Sequence, residues 1–91
     1  MDVEFDPLKD EANREKHGLS LSQAASIFEF FRIDVEDDRD GYSETRYVTL
    51  RRIDRRRIAV CVWTPRDERA RIISLRKADK DERETYNLHR P

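Results

Sequence analysis

Apolar and polar positions along the chain change period several times, and each change marks an element. Val3-Glu4-Phe5 alternates at period two and predicts a short opening strand. Asp6-Pro7 then predicts a helix start, because aspartate caps free N–H groups and proline's fixed φ suits the first helical position. The helix runs through Leu8 and Ala12 to Lys16-His17. It stops at Gly18, a residue able to take the left-handed conformation that closes a helix. Arg14 and Lys16 in the last turn suit the negative end of the helix dipole. Ser20-Leu21-Ser22-Gln23 has capping-box spacing, with Leu19 and Ala24 placed as a hydrophobic staple. Leu21, Ala24, Ala25 and Phe28 recur at helical period, so a second helix is predicted, ending over Glu29–Phe31.

Period two returns at Ile33 and Val35, and Asp37-Asp38-Arg39-Asp40-Gly41 predicts a loop. A strand over Glu44–Ile53 follows, then a tight connection at Asp54-Arg55-Arg56. Arg57–Trp63 is apolar on both faces from Ile58 onward, which predicts a central strand covered on both sides. Thr64–Glu68 predicts a turn and Ala70–Arg76 a last strand. Asp79 and Glu82 repeat the N-cap spacing and open a C-terminal helix through Tyr86. Its only apolar positions are Ala78, Tyr86 and Leu88, so this helix is expected to be held loosely or completed by a partner. The predicted order is β-α-α-β-β-β-β-α, a single α+β domain over residues 1–91. Short connections predict a small antiparallel sheet, with two N-terminal helices and one C-terminal helix on one side.

Composition narrows the function. Ninety-one residues are too few for two cores, and no apolar run approaches the roughly 20 residues that cross a bilayer. The acidic start has no signal-like apolar stretch, and one cysteine excludes an internal disulfide, so a cytoplasmic protein without membrane contact is expected. Cys61 in the central strand predicts a buried, inert thiol. The formal net charge of −1 hides an asymmetry: residues 1–45 hold 5 Lys+Arg against 13 Asp+Glu, and residues 46–91 hold 14 against 7. Twelve of those 14 cations are arginine, whose planar fork fits phosphate. The pattern predicts an acidic helical part joined to an arginine-rich sheet. Such a sheet can hold a sugar-phosphate backbone, with Tyr47 or Trp63 available for base stacking. Arg46 and Arg52 share a strand face with Val48 and Leu50. Strict alternation puts Arg71 and Arg76 on opposite faces, with Arg66 in the preceding turn.

His17, His89 and Cys61 have no metal-ligand spacing, so neither metal nor cofactor is expected. With two glycines in the chain, a glycine-rich phosphate loop is excluded. RNA cleavage needs no metal: the 2′-OH attacks the adjacent phosphorus, a base takes its proton, an acid protonates the leaving oxygen and cations stabilise the charge. His17 is the readiest proton carrier at neutral pH, and its plainer reading is a cation capping the helix C-terminus.

Several segments together carry a family resemblance. They are Phe5-Asp6-Pro7-x-Lys9, Asn13-x-x-Lys16-His17-Gly18, Ser20-x-x-x-Ala24, Glu44-x-Arg46, Thr64-x-Arg66, Arg71-Ile72-Ile73-Ser74-x-Arg76-Lys77-Ala78 and Glu82-Arg83-x-x-Tyr86. In that order they resemble the BrnT family of type II toxins, which is similar in fold to RelE/ParE-like toxins. Leu75 and Arg51-Arg52 depart from the family's usual alanine and glycine. The resemblance implies an endoribonuclease. It also implies a BrnA-like antitoxin with a ribbon-helix-helix DNA-binding domain, a heterotetramer with it, and operator DNA reached only through that antitoxin. It marks His17, Lys16, Arg46, Arg66 and Arg76 as candidate catalytic residues, and Arg71, Glu44, Tyr86 and Arg52 as candidate substrate-binding residues. In this reading Arg66 and Arg76 hold the scissile phosphate, His17 or Lys16 carries a proton, and Glu44 orients Arg46. The competing readings are a non-catalytic nucleic-acid-binding module or co-repressor, and a toxin directed at a protein such as gyrase.

Overall fold

A computed structural model describes residues 2–29, 31–37 and 44–91. Its elements are β1 (Asp2–Glu4), α1 (Pro7–His17), a 3-10 helix (Leu21–Ala24), β2 (Ile33–Asp37), β3 (Arg46–Arg52), β4 (Ile58–Arg66), β5 (Arg69–Lys77) and α2 (Lys80–His89). Beyond Asp37, the loop expected over 37–41 lies outside the described residues, as does Phe30 at the expected helix end. The caps follow the sequence. Asp6 Oδ1 accepts from the Leu8 N–H, Gly18 takes φ 71°, and Asp79 with Glu82 forms a complete capping box.

The α+β class holds, and the arrangement differs from expectation in three ways. First, the sheet is mixed: its order is β1-β5-β4-β3-β2, with β1 parallel to β5 and the other pairs antiparallel. A three-residue strand carries no pattern that names its partner, and the partner lies at the far end of the chain. Second, the second helix is a 3-10 turn. Ala25, Ile27 and Glu29 donate to the carbonyls of Ser22, Ala24 and Ser26, three residues back each time. At three residues per turn the buried stripe is Leu21, Ala24 and Ile27, while Ala25 is exposed. Third, helices cover both faces of the sheet. Together these findings replace the expected RelE-like arrangement of three helices on an antiparallel sheet.

Alternation along β4, the middle strand, separates two apolar layers. Ala59, Cys61 and Trp63 face the 3-10 segment and its flanks, packing with Leu19, Leu21, Ala24, Ile27, Ala70, Ile72 and Leu75. Ile58 and Val60 face the other way and pack with Ala78 and Tyr86 beneath α2, supported by Phe31, Ile33, Val48 and Leu50. Leu75, the departure from family pattern, is thus a core residue.

Asn13 ties α1 to the sheet. Its amide nitrogen donates to the carbonyls of Leu19 and Leu75, both at 2.8 Å, and its Oδ1 accepts from the Leu75 N–H at 3.1 Å. Trp63 stacks on Tyr47 and donates its indole N–H to Thr49 Oγ1 at 2.8 Å. Both aromatics expected to stack bases therefore belong to the layer beneath the 3-10 segment.

β4 continues through Pro65 and Arg66, where a turn was expected. Its β3 partners run only as far as Tyr47↔Trp63, so proline's missing N–H falls where the strand has β5 alone beside it. The hairpin closes on Asp67 and Glu68, both at positive φ (50° and 66°). That conformation matches the right-handed twist of the flanking strands.

Burial pushes the Cys61 thiol up to about 12. Cys61 should therefore resist thiol reagents in the native protein and label only on unfolding. Labelling under native conditions at the rate of a free thiol, followed by mass spectrometry, would contradict this burial.

Candidate nucleic-acid interface

A bulge in β5 decides which arginines share a face. Val62 pairs with Ser74 and Trp63 with Ile72, so Ile73 is the extra residue on β5. The bulge resets the alternation, which lets Ile72 and Leu75 enter the same core. It also turns Arg71 and Arg76 to the same face, where strict alternation had separated them. That face is the one partly covered by α2.

The uncovered end of this face gathers three arginines. Arg71 lies across from Thr64 on β4, and Arg46 follows from the β3 register on the other side of Thr64. Two strand spacings, about 10 Å, separate Arg46 from Arg71. Arg66 stands two residues beyond Thr64, towards the hairpin. Thr64 is fully buried, its hydroxyl donating to the Thr45 carbonyl at 2.6 Å, and gives the cluster a firm base. Val62 and Ser74, both partly exposed, continue the floor.

Carboxylates from the flanking segments interleave with these cations. Glu44 lies 3.5 Å from Arg66 and 4.0 Å from Arg46, and Glu4 on β1 lies 3.4 Å from Arg71. Asp37 on β2 is the register partner of Arg46. The acidic and basic halves of the chain are therefore interdigitated in one sheet and do not form two separate surfaces. Arg46, Arg66 and Arg71 retain 25%, 49% and 30% side-chain exposure, so a polyanion can reach them. Long, solvated pairs of this kind contribute about 0–1 kcal/mol each. A phosphate offering bidentate contacts can displace their carboxylates.

Arg76 stands apart. It lies across from Val60, four residues along β4 from Thr64, or about 13 Å. Glu82 of α2 grips it with two hydrogen bonds of 2.8 and 2.9 Å. This contact holds the Glu82 carboxyl below the ordinary carboxylate range and raises the Arg76 guanidinium. Because the folded-state value of Glu82 is depressed, its stabilisation is present above the ordinary carboxylate value and is lost as pH falls through the depressed one. As pH falls from the ordinary carboxylate value through the depressed one, α2 should loosen. Amide exchange in Lys80–His89 should speed up there before the β4–β5 hairpin is affected. Glu82→Gln should show the same faster exchange at neutral pH, and equal protection in this variant would contradict the tether.

The remaining candidates are dispersed. Lys16 and His17 end α1, which is tied to β5 through Asn13, and among the described residues no hydrogen bond or ion pair links either of them to the arginine cluster. Tyr86 is 5% exposed, contacts the Phe31 ring and donates its hydroxyl to the Phe31 carbonyl at 3.4 Å. Arg52 lies at the far end of β3 and donates to the Arg55 carbonyl at 2.6 Å. Among the described residues no group of three or more His, Cys, Asp or Glu side chains is placed to hold a metal ion. No described helix is long and apolar enough to cross a membrane. Glu4 was missed from sequence, because only the parallel β1–β5 pairing brings it beside Arg71.

A family model described as the ribonuclease toxin BrnT of type II toxin-antitoxin systems matches residues 5–82. The chain belongs to the BrnT family. The match includes Glu44 and the four arginines at 46, 66, 71 and 76, and leaves Glu4 and Tyr86 outside it. The crystal structure of the Brucella abortus ribonuclease toxin BrnT is similar, with a TM-score of 0.70 at 21% sequence identity, covering 88% of this chain and 99% of that one. At that identity the likeness concerns the fold: a five-stranded sheet with the same overall course. No curated protein sequence matches the chain. BrnT membership makes the protein a ribonuclease toxin of a type II system, with RNA as substrate and an antitoxin as partner.

Proposed function

We propose that the exposed cluster of Arg46, Arg66 and Arg71 is where this ribonuclease holds the scissile phosphate. The observation that carries this is the convergence of three guanidinium groups from three neighbouring positions on β3, β4 and β5, made possible by the bulge at Ile73. Preorganised cations at a phosphate stabilise the charge that builds up as the 2′-oxygen adds to phosphorus. Glu44, within ion-pair distance of both Arg46 and Arg66, is the carboxylate best placed to accept the 2′-OH proton. In this assignment Glu44 does more than orient Arg46. His17 and Lys16, in the last turn of α1, serve as helix-end cations. Arg76 holds a neighbouring phosphate once Glu82 lets go. Arg52 contacts RNA farther along, and Tyr86 acts by fixing α2.

The reaction proceeds without a metal on cytoplasmic RNA. The antitoxin is BrnA-like, carries a ribbon-helix-helix domain and forms a heterotetramer with the toxin. It covers the arginine face, so neutralisation and RNA binding compete, and operator DNA is contacted through the antitoxin alone. The decisive experiment incubates purified protein with RNA in excess EDTA. Cleavage that leaves cyclic phosphate ends, and that stops when antitoxin is added, is the expected result. Cleavage abolished by EDTA and restored by magnesium would overturn the metal-free mechanism.

A further inference from the structure

A second cationic recess lies at the other end of the same sheet. Where β3 runs past the start of β2, a cleft of about 620 Å³ opens between the segment after the 3-10 helix, the β3–β4 turn and α2. Phe31, Ile53 and Tyr86 form its apolar wall, and Arg52 and Arg55 form its charged lip, with the buried Arg51 behind them. The volume lies within the range of small-ligand sites, about 300–1,000 Å³.

The lip is basic and held in place. Arg51 is 7% exposed and is anchored by donating to the carbonyl and hydroxyl oxygens of Ser26. Burial lowers its guanidinium pKa from the ordinary arginine value. Arg52 donates to the Arg55 carbonyl, so one of its N–H groups fixes the side chain along the turn and its outer edge still faces the cleft. The one acid in the lining, Asp54, is exposed but held by its own loop. Its carboxylate accepts from the Arg56 and Arg57 backbone N–H groups at 2.9 and 2.8 Å and from Arg57 Nε at 2.6 Å. Its ion pair is with Arg57, so against its single charge the cleft still carries Arg52 and Arg55.

We infer that this cleft is a second RNA subsite, taking an unpaired nucleotide several positions from the scissile phosphate. Its base would lie against the Phe31 and Ile53 side of the wall and its phosphate on Arg52 and Arg55. The inference rests on the cleavage site proposed above, since Arg46 and Arg52 are the two ends of one strand, about 20 Å apart. A single strand crossing the face from one to the other passes the α2 N-terminus, where Arg76 is held. An apolar wall behind a row of guanidinium groups is the chemistry of single-stranded nucleic acid recognition: stacking surface inside, phosphate contacts at the rim. A protein segment that filled the wall would leave Arg52 and Arg55 facing it without a counter-charge unless it were itself acidic.

The test is binding of 2′-O-methyl oligoribonucleotides, which cannot be cleaved, over lengths from two to ten nucleotides. Fluorescence anisotropy would compare wild type with the double variant Arg52→Ala/Arg55→Ala. Wild-type affinity should rise by about tenfold or more once the oligonucleotide is long enough to span both ends of the face. The double variant should lose that gain, and its salt dependence should fall by about 0.7 in log K per log salt for each phosphate it no longer neutralises. Both side chains are at the surface, so thermal unfolding of the variant should match wild type. An undiminished length gain in the double variant, with Arg66→Ala/Arg71→Ala still weakening binding, would overturn the subsite and leave the cleavage site standing. Loss of antitoxin binding with RNA affinity unchanged would also overturn it, in favour of a protein occupant. Absence of RNA binding by wild type at every length would sink the cleavage-site assignment along with it.

Discussion

Alanine at Arg71 or Arg66 should slow RNA cleavage by about 10²- to 10³-fold, the usual cost of removing one preorganised group from a site where charge develops. Their ion pairs with Glu4 and Glu44 are partly solvated, so removing either arginine should change stability by less than about 1 kcal/mol. The expected pattern is therefore loss of activity with unchanged thermal unfolding. Lysine should restore only part of the rate, because it keeps the charge and loses the planar fork. Single-turnover cleavage of a defined RNA by the alanine and lysine variants checks both points. If Arg71→Ala cleaves at the wild-type rate, the convergence around Thr64 is not the phosphate site. Arg76→Ala should have a smaller effect, since in the resting protein that guanidinium is already bound by Glu82.

The second large effect is on stability. Asn13→Ala removes two donors and an acceptor from a site that is 6% exposed, leaving the Leu19 carbonyl and the Leu75 carbonyl and N–H without those partners. Unsatisfied buried groups cost about 1–3 kcal/mol each. The variant should lose about 3 kcal/mol or more, which in a domain of this size lowers Tm by about 12 °C or more. Aspartate should not rescue it, because a carboxylate facing two carbonyl oxygens has no proton to offer at neutral pH. Asn87→Ala, on the exposed side of α2, is the control and should fall within about 0.5 kcal/mol of wild type. Thermal unfolding followed by circular dichroism measures all three. A Tm for Asn13→Ala within a few degrees of wild type would mean that α1 is held by its apolar contacts alone.

These two predictions show how unevenly the sequence reveals its chemistry. Asn13 is legible only as part of a motif, Asn13-x-x-Lys16-His17-Gly18, whose histidine reads as the proton carrier. The structure gives the motif's asparagine a clear structural task and leaves the histidine at the end of α1, where no hydrogen bond or ion pair joins it to the arginines. A hydrogen-bonding residue in mid-helix does not reveal its partner, and the partner here is 62 residues away. Arg46, Arg66 and Arg71 are visible as residues, through their number and their place in the family pattern. Their convergence is not, because it depends on strand order and on one inserted residue in β5.

What local physics governs is readable directly. Asp6, Pro7 and Gly18 bound the first helix, and Asp79 and Glu82 open the last, because caps act over three or four residues. β4 is recognisable as the central strand, since only a strand covered on both faces is apolar on both. Three decisions belong to tertiary structure. The partner of β1 is chosen across the whole chain, and with it the meeting of Glu4 and Arg71. The 3-10 winding of Leu21–Ala24 and the turns that carry the chain on to Glu29 are settled by packing and by Arg51 engaging Ser26, since the apolar spacing fits either helix. The bulge at Ile73 lets Ile72 and Leu75 enter one core together, and that demand of packing turns Arg71 and Arg76 to a common face. The composition made an arginine-rich sheet; the register of two strands gathered Arg46, Arg66 and Arg71 on one side of it.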